Sequence, residues 1–171
     1  MKKLNQLVII SVLLSILSPF GLAEVKIAII DFDKAVFKTK FAQQQQKTLT
    51  ENDEYGALME KLQLLKADLQ DLEKEANTKG MTWSNEQVAE HSNKVKYKSA
   101  DYQLIAKKIE SQRNNIINTI KGKFATTIKD AVNEIIKEEA IDLLLNAKAA
   151  YFARPDFDIT KKVTAALDAN S

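Results

Sequence analysis

The chain has no cysteine, one histidine, four glycines and two prolines among 171 residues. Without cysteine no disulfide framework can hold it, so stability has to come from packing or from association of subunits. There is also no residue to acylate, which excludes a lipoprotein anchor. His91 has no second histidine or cysteine to complete a metal-ligand cluster or a nucleophile–base pair. No glycine-rich phosphate loop is present. Catalysis is therefore the least favoured class of function, and no cofactor or metal is expected. Asp31 and Asp33 could form a paired-carboxylate acid, but a strand end followed by a helix cap explains them more simply.

A surplus of one charge is lacking too. Lys and Arg number 25 against 23 Asp and Glu. Lys2 and Lys3 open a targeting segment whose apolar run, Leu7 to Leu17, is broken only by Ser11 and Ser15. Pro19 and Gly21 close it, and Gly21-Leu22-Ala23 puts small residues where a signal peptidase reads. The run is short for a bilayer, which takes about 20 residues. Export with cleavage after Ala23 is expected, the alternative being a retained N-terminal anchor. Taking 23 residues from 171 leaves 148, enough for one domain. Taking Lys2 and Lys3 from the 25 basic residues leaves 23, equal to the acidic count. A formally neutral mature chain argues against nonspecific nucleic-acid binding, which depends on phosphate neutralisation.

What the chain does have is periodicity. Val25 to Asp31 alternates and is rich in β-branched residues, which predicts a strand. Val25, Ile27 and Ile29 take one face; Lys26, Ala28 and Ile30 take the other. Ile30 makes both faces partly apolar, so cover on both sides is expected. Asp33 is the predicted cap of a short helix, Lys34 to Lys40, that packs Val36 and Phe37. One helix is then predicted from Gln43 to Lys79 and another from Ser84 to about Glu138, joined by a turn at Gly80-Met81-Thr82-Trp83. Leu58, Leu62, Leu65, Leu69, Leu72 and Ala76 follow heptad spacing. Val88, Val95, Tyr102, Ile109 and Ile116 recur at sevens, with weaker half-steps at His91 or Ser92, Lys98 or Ser99, Ile105 and Gln112. From Ile116 the stripe thickens through Ile120, Phe124, Ile128, Val132 and Ile135. The pairing should be loose near the turn and tighter toward the base.

Gly80 suits a helix stop with positive φ, and Ser84 with Gln87 matches a capping box. At 1.5 Å per residue the two helices would run roughly 55 Å and 80 Å. Ile141 to Asn146 and Ala149 to Phe152 read as two further strands. Pro155 breaks the chain, and Asp158 is the candidate cap of a last helix that buries Val163 and Leu167. Three short strands leave open edges that an intersubunit sheet or core would cover. The expected fold class is mainly α with a small β body, a long antiparallel helical hairpin standing on a strand-containing base. The expected division is a signal peptide at 1–23, a base from 24–42 and 123–171, and an arm at 43–122 with its tip at 80–83.

Lys26-Ile27-Ala28-Ile29-Ile30-Asp31, Gly122-Lys123-Phe124 through Ala131-Val132, and Ile141 to Leu145 with Asp158 to Val163 resemble the two ends of the Skp (OmpH-like) family of periplasmic chaperones. The resemblance implies a homotrimer whose strands and base helices form one body, with three coiled-coil arms around a cavity. It implies a periplasmic holdase that keeps unfolded outer-membrane proteins soluble for membrane assembly, without ATP. The residues agree with such a mechanism, in which many weak and reversible contacts hold an unfolded client. The weak half-steps, with Gly56 and Gly122, would let the arms bend. One departure concerns charge: well-known members are strongly basic and this mature chain is neutral. Weaker electrostatic steering is therefore expected, no lipopolysaccharide site is carried over, and contact with a membrane stays open.

Ile27, Ile29, Leu143, Leu145 and Phe152 are the candidate trimerisation residues. Leu64 and Tyr97, beside the seam, are candidate client contacts. Lys94, Lys96 and Lys98 are candidates for attracting clients, against the plainer reading of a solvated face. Trp83, with Met81, could touch clients or a membrane, against a plainer reading in which Trp83 packs across the turn. His91 reads as a seam residue. The competing function is a structural spacer or adaptor of the cell envelope, which would need a continuous strong seam.

Overall fold

The computed structural model describes residues 25–170. The expected signal segment and its cleavage site lie outside the described residues. Alternation and β-branching make Ile27–Ile30 a strand, β1. Ala28 and Ile30 turn inward and are buried, while Val25 and Ile27 stay exposed. Cover on both sides is thus not achieved within one chain.

The chain leaves β1 through Asp31, whose carboxylate accepts the Lys34 N–H at 2.9 Å and caps α1 (Phe32–Phe37). The cap is Asp31 and not Asp33, because Asp31 already has the extended backbone that an N-cap needs. Buried Thr39 caps α2 (Lys40–Thr50), its hydroxyl accepting the Ala42 N–H.

The first predicted long helix is two helices. Asn52 uses its side-chain oxygen to accept the Tyr55 N–H at 2.9 Å, which starts α3 (Asp53–Lys79) afresh after a break at Glu51–Asn52. Local side-chain bonding of this kind competes with helix continuation. The second long helix also divides, into α4 (Asn85–Phe124) and α5 (Thr127–Glu138). With 27 and 40 residues, α3 and α4 are about 40 Å and 60 Å long. Gly80 does not take positive φ; its φ is −55°, and a short 3-10 turn, Gly80–Thr82, closes the arm instead. The positive-φ residue is Ala140, at 49°, where the chain swings out of α5. Ser84 and Gln87 make both bonds of the predicted capping box.

β2 (Leu143–Asn146) lies parallel to β1, with Ile27 opposite Leu143 and Ile30 opposite Asn146. The hairpin and α5 are the crossover that a parallel pair requires. The third predicted strand does not form. Asn146 accepts the Lys148 N–H and begins a 3-10 turn, Ala147–Ala149, after which residues 150–154 run irregularly. The other edge of β1 is closed by the Ile159 N–H, which donates to the Ile29 carbonyl at 3.0 Å. Among the described residues the outer edge of β2 is the open one. The N-cap of α6 (Thr160–Ala169) is Ile159 and not Asp158, which stands one residue earlier and accepts the Thr160 N–H; Val163 and Leu167 are buried as the pattern predicts.

Packing falls into two separate apolar clusters. The base cluster joins Ala28 and Ile30 to Phe124, Val132, Ile135, Val163 and Leu167, with Phe41 edge-on to Phe124 at 6.0 Å. The arm cluster is smaller: Tyr55, Leu65, Ile105 and Ile109, flanked by Leu58, Leu62 and Tyr102. Toward the tip the seam thins as predicted, and Val88 is exposed instead of packed.

Candidate functional site

The base presents one apolar face. Because β1 and β2 pair in register, Ile27 and Leu143 lie side by side, as do Ile29 and Leu145. Their neighbours Ala28 and Ile30 are committed to the core, so period-2 geometry turns these four outward. Ile27, Ile29, Leu145, Phe152 and Phe157 line a groove of about 270 Å³. Phe152 is 78% exposed, and Tyr151 beside it is fully exposed. The structure therefore brings four of the five predicted trimerisation residues into one groove and sets Leu143 next to Ile27. Phe157 belongs to the same groove and Tyr151 is the exposed neighbour of Phe152; neither was predicted. A third strand would have alternated Tyr151 away from Phe152, which hid the run of two exposed aromatics. Arg154 stacks over Phe157 at 5.0 Å and pairs with Asp156, a charged rim to an apolar face.

Ion pairs fasten the back of this base. The hydrogen bond from Lys148, 2.7 Å long, holds the Asp33 carboxyl below its usual range and raises the Lys148 ammonium in turn. Glu139 is held down chiefly by its hydrogen bond from Lys162, outweighing a small burial penalty, and further by Lys26 at 3.4 Å. Glu139 thereby ties the end of α5 to α6 and to the start of β1. The Asp33–Lys148 pair is well exposed and Glu139 is partly so, so each pair adds little stability on its own.

On the arm, the predicted candidates separate. The Trp83 ring lies 4.6 Å from the His91 ring, and His91 Nε2 is 2.9 Å from the Leu72 carbonyl. Trp83 is thus half-buried across the turn, while Met81 is fully exposed at the tip. At 100° per residue, Lys94 and Lys98 share one side of α4 and Lys96 points to the other. Lys98 Nζ pairs with Asp68 across the hairpin at 2.6 Å. Lys94 and Lys98 border a shallow groove with Asp68, Asp71 and Glu75, so the three lysines form no single positive patch.

That groove marks one broad side of the hairpin. Leu64 lies one helical turn before Asp68, Tyr97 one turn after Lys94, and Leu104 two turns beyond Tyr97. All three face this side, and they are 61%, 71% and 53% exposed. The opposite broad side carries Gln63, Lys66 and Gln70 on α3 and Lys96, Gln103 and Lys107 on α4, all exposed. Leu104 escaped the sequence reading because it is off the seam, although its spacing of seven from Tyr97 was visible.

Among the described residues no group of three or more side chains could hold a metal ion. No described helix is long and apolar enough to cross a membrane.

A family model described as outer membrane protein (OmpH-like) matches residues 26–167. The chain belongs to the OmpH-like family. That family is one of chaperones, so the general role of this OmpH-like chain is a chaperone's. It is 24% identical over 163 residues to the Skp-like protein of Pseudomonas aeruginosa, covering 95% of each. A solved OmpH-like structure from Caulobacter crescentus, named as an outer membrane chaperone, covers 88% of each chain at 19% identity and a TM-score of 0.49.

Proposed function

We propose that this OmpH-like chain is an ATP-independent periplasmic holdase that works as a homotrimer. Ile27, Ile29, Leu143, Leu145, Phe152 and Tyr151 join three bases, and the three arms enclose a cavity for unfolded outer-membrane proteins. The observation that carries the reading is the asymmetry of the arm. One broad side sets Leu64, Tyr97 and Leu104 apart among charges, and over the same stretch the other is mainly polar, through Gln63, Lys66, Gln70, Lys96, Gln103 and Lys107, its exposed apolar residues Val88 and Ile117 lying toward the two ends of α4. Isolated apolar contacts spread over a long charged surface give many weak attachments and no fixed pocket, which suits a client that has no structure yet. The apolar side faces the cavity and the polar side faces water. Lys94 and Lys98 lie on the client side, beside acidic partners that temper their pull.

The competing reading, a rigid envelope spacer, is disfavoured by the break at Glu51–Asn52 and by the exposed Val88, since a rod needs a continuous seam. The test dilutes a urea-unfolded β-barrel protein into buffer with and without the chain, with no nucleotide present, and follows light scattering. A holdase suppresses aggregation at a ratio near three chains per client. Unchanged aggregation would leave the spacer as the better reading.

A further inference from the structure

The base and arm clusters do not touch along the hairpin. Between Ile116 and Ile109 the α4 seam is occupied by half-buried Gln112, and at the same level the facing helix breaks at Glu51–Asn52. Only α4 runs unbroken through this joint. Beside it lies an open crevice of about 270 Å³, bordered by Leu49, Tyr55, Arg113, Ile116 and Ile117. Gly56, just past the break, has nothing within 4 Å of where a Cβ would stand, so packing does not explain the missing side chain. A polar level, a one-sided helix break and an unfilled crevice are what a bending joint needs.

Leu49, before the break, packs against the arm cluster, and one side-chain to side-chain hydrogen bond spans the joint. Arg113 Nε donates to the Tyr55 hydroxyl at 2.7 Å, and the guanidinium lies 6.0 Å from the Tyr55 ring centre. Tyr55 is 7% exposed and anchored in the arm cluster. Arg113 forms no ion pair among the described residues; a carboxylate would have held it more tightly. A charged donor on a neutral phenol is strong enough to set a geometry and weak enough to release, since the freed guanidinium can return to water.

We propose that the Arg113–Tyr55 bond is a latch that sets the angle of the arm on its base, and so the size of client the cavity accepts. The second half of this statement rests on the chaperone reading; the first does not. With the latch closed the arm stands at one angle. With it open, α4 flexes near Gln112 into the crevice and the cavity widens.

The chain has no cysteine, so paired spin labels at Ser92→Cys and Lys129→Cys report arm against base, with labelled chains diluted into unlabelled ones. Tyr55→Phe removes the acceptor and keeps the ring. It should broaden the distance distribution, raising the share of displaced arms roughly five- to tenfold. Arg113→Gln should do the same, and the double variant should do no more than either alone. Tyr102→Phe, in the same cluster but without this bond, should leave the distribution unchanged. An unchanged distribution for Tyr55→Phe, or equal broadening for Tyr102→Phe, overturns the latch. In parallel, the ratio of affinities for a sixteen-stranded over an eight-stranded unfolded barrel protein should rise in Tyr55→Phe by a similar factor. Broadened distances with an unchanged ratio overturn the size selection. A native chain that binds neither client defeats the chaperone reading while the distances still decide the latch.

Discussion

Replacing Phe152 by alanine should weaken the proposed trimer while sparing the chain's own fold. Phe152 is 78% exposed in the single chain, so about a fifth of the ring is all that its own fold covers. Fully burying a phenylalanine is worth up to about 3 kcal/mol. The exposed share, covered on association, is then worth roughly 2 kcal/mol per chain, or about 6 kcal/mol over three copies. That is about four powers of ten in the trimer–monomer constant. Because the midpoint concentration of a trimer varies as the square root of that constant, it should shift about a hundredfold. Sedimentation velocity across a dilution series reads the midpoint, and far-ultraviolet circular dichroism reads helix content on the same samples. Tyr97→Ala is the control: it is 71% exposed, but on the arm. A midpoint that stays put in Phe152→Ala, or one that moves equally in Tyr97→Ala, refutes the assignment of the base face.

Phe124→Ala removes a ring that is almost wholly buried against Phe41, and urea unfolding should show a loss of about 3–5 kcal/mol. Serine at Leu64, Tyr97 and Leu104 together should weaken capture of an unfolded barrel protein on the order of tenfold. The same number of serines at Gln63, Gln70 and Gln103 should leave capture unchanged, as fluorescence anisotropy of a labelled client can check. Acid should loosen the base. Asp33 and Glu139 are both held below their ordinary values of 3.8 and 4.5, so their contribution is present above those values and disappears as pH falls through the lowered ones. The thermal unfolding midpoint should therefore fall from about pH 4.5 downward, and Glu139→Gln should flatten the decline. The raised Lys148 acts at the other end, its contribution vanishing only as pH climbs past 10.5.

Where a pattern repeats, it was legible. The seam through Leu65, Ile105 and Ile109 and the buried face of Ala28 and Ile30 follow from spacing alone, because burial of one face is what such spacing permits. Caps with a reciprocal partner were legible too, as Ser84 and Gln87 show. Single-residue events were not. Asn52 breaks a helix through its own side chain inside a stretch whose composition reads as continuous helix. Gly80 suits a positive φ by residue type, yet a 3-10 turn closes the arm without one. Ala140, with nothing in its chemistry to announce it, takes the left-handed conformation because α5 has to turn sharply into β2. The same distinction holds at the candidate surfaces. Ile27, Ile29, Leu143 and Leu145 were found by alternation. Tyr151 and Phe157 depend on how the irregular segment after β2 folds back, which no period encodes. Lys94, Lys96 and Lys98 looked like one cluster in the sequence; helical geometry divides them.

Native mass spectrometry of residues 24–171, alone and after dilution of a urea-unfolded outer-membrane β-barrel protein into it, tests the central claim most directly. The account predicts a trimer that takes up one client chain without nucleotide. A monomer, or a trimer that emerges with no client bound, contradicts it.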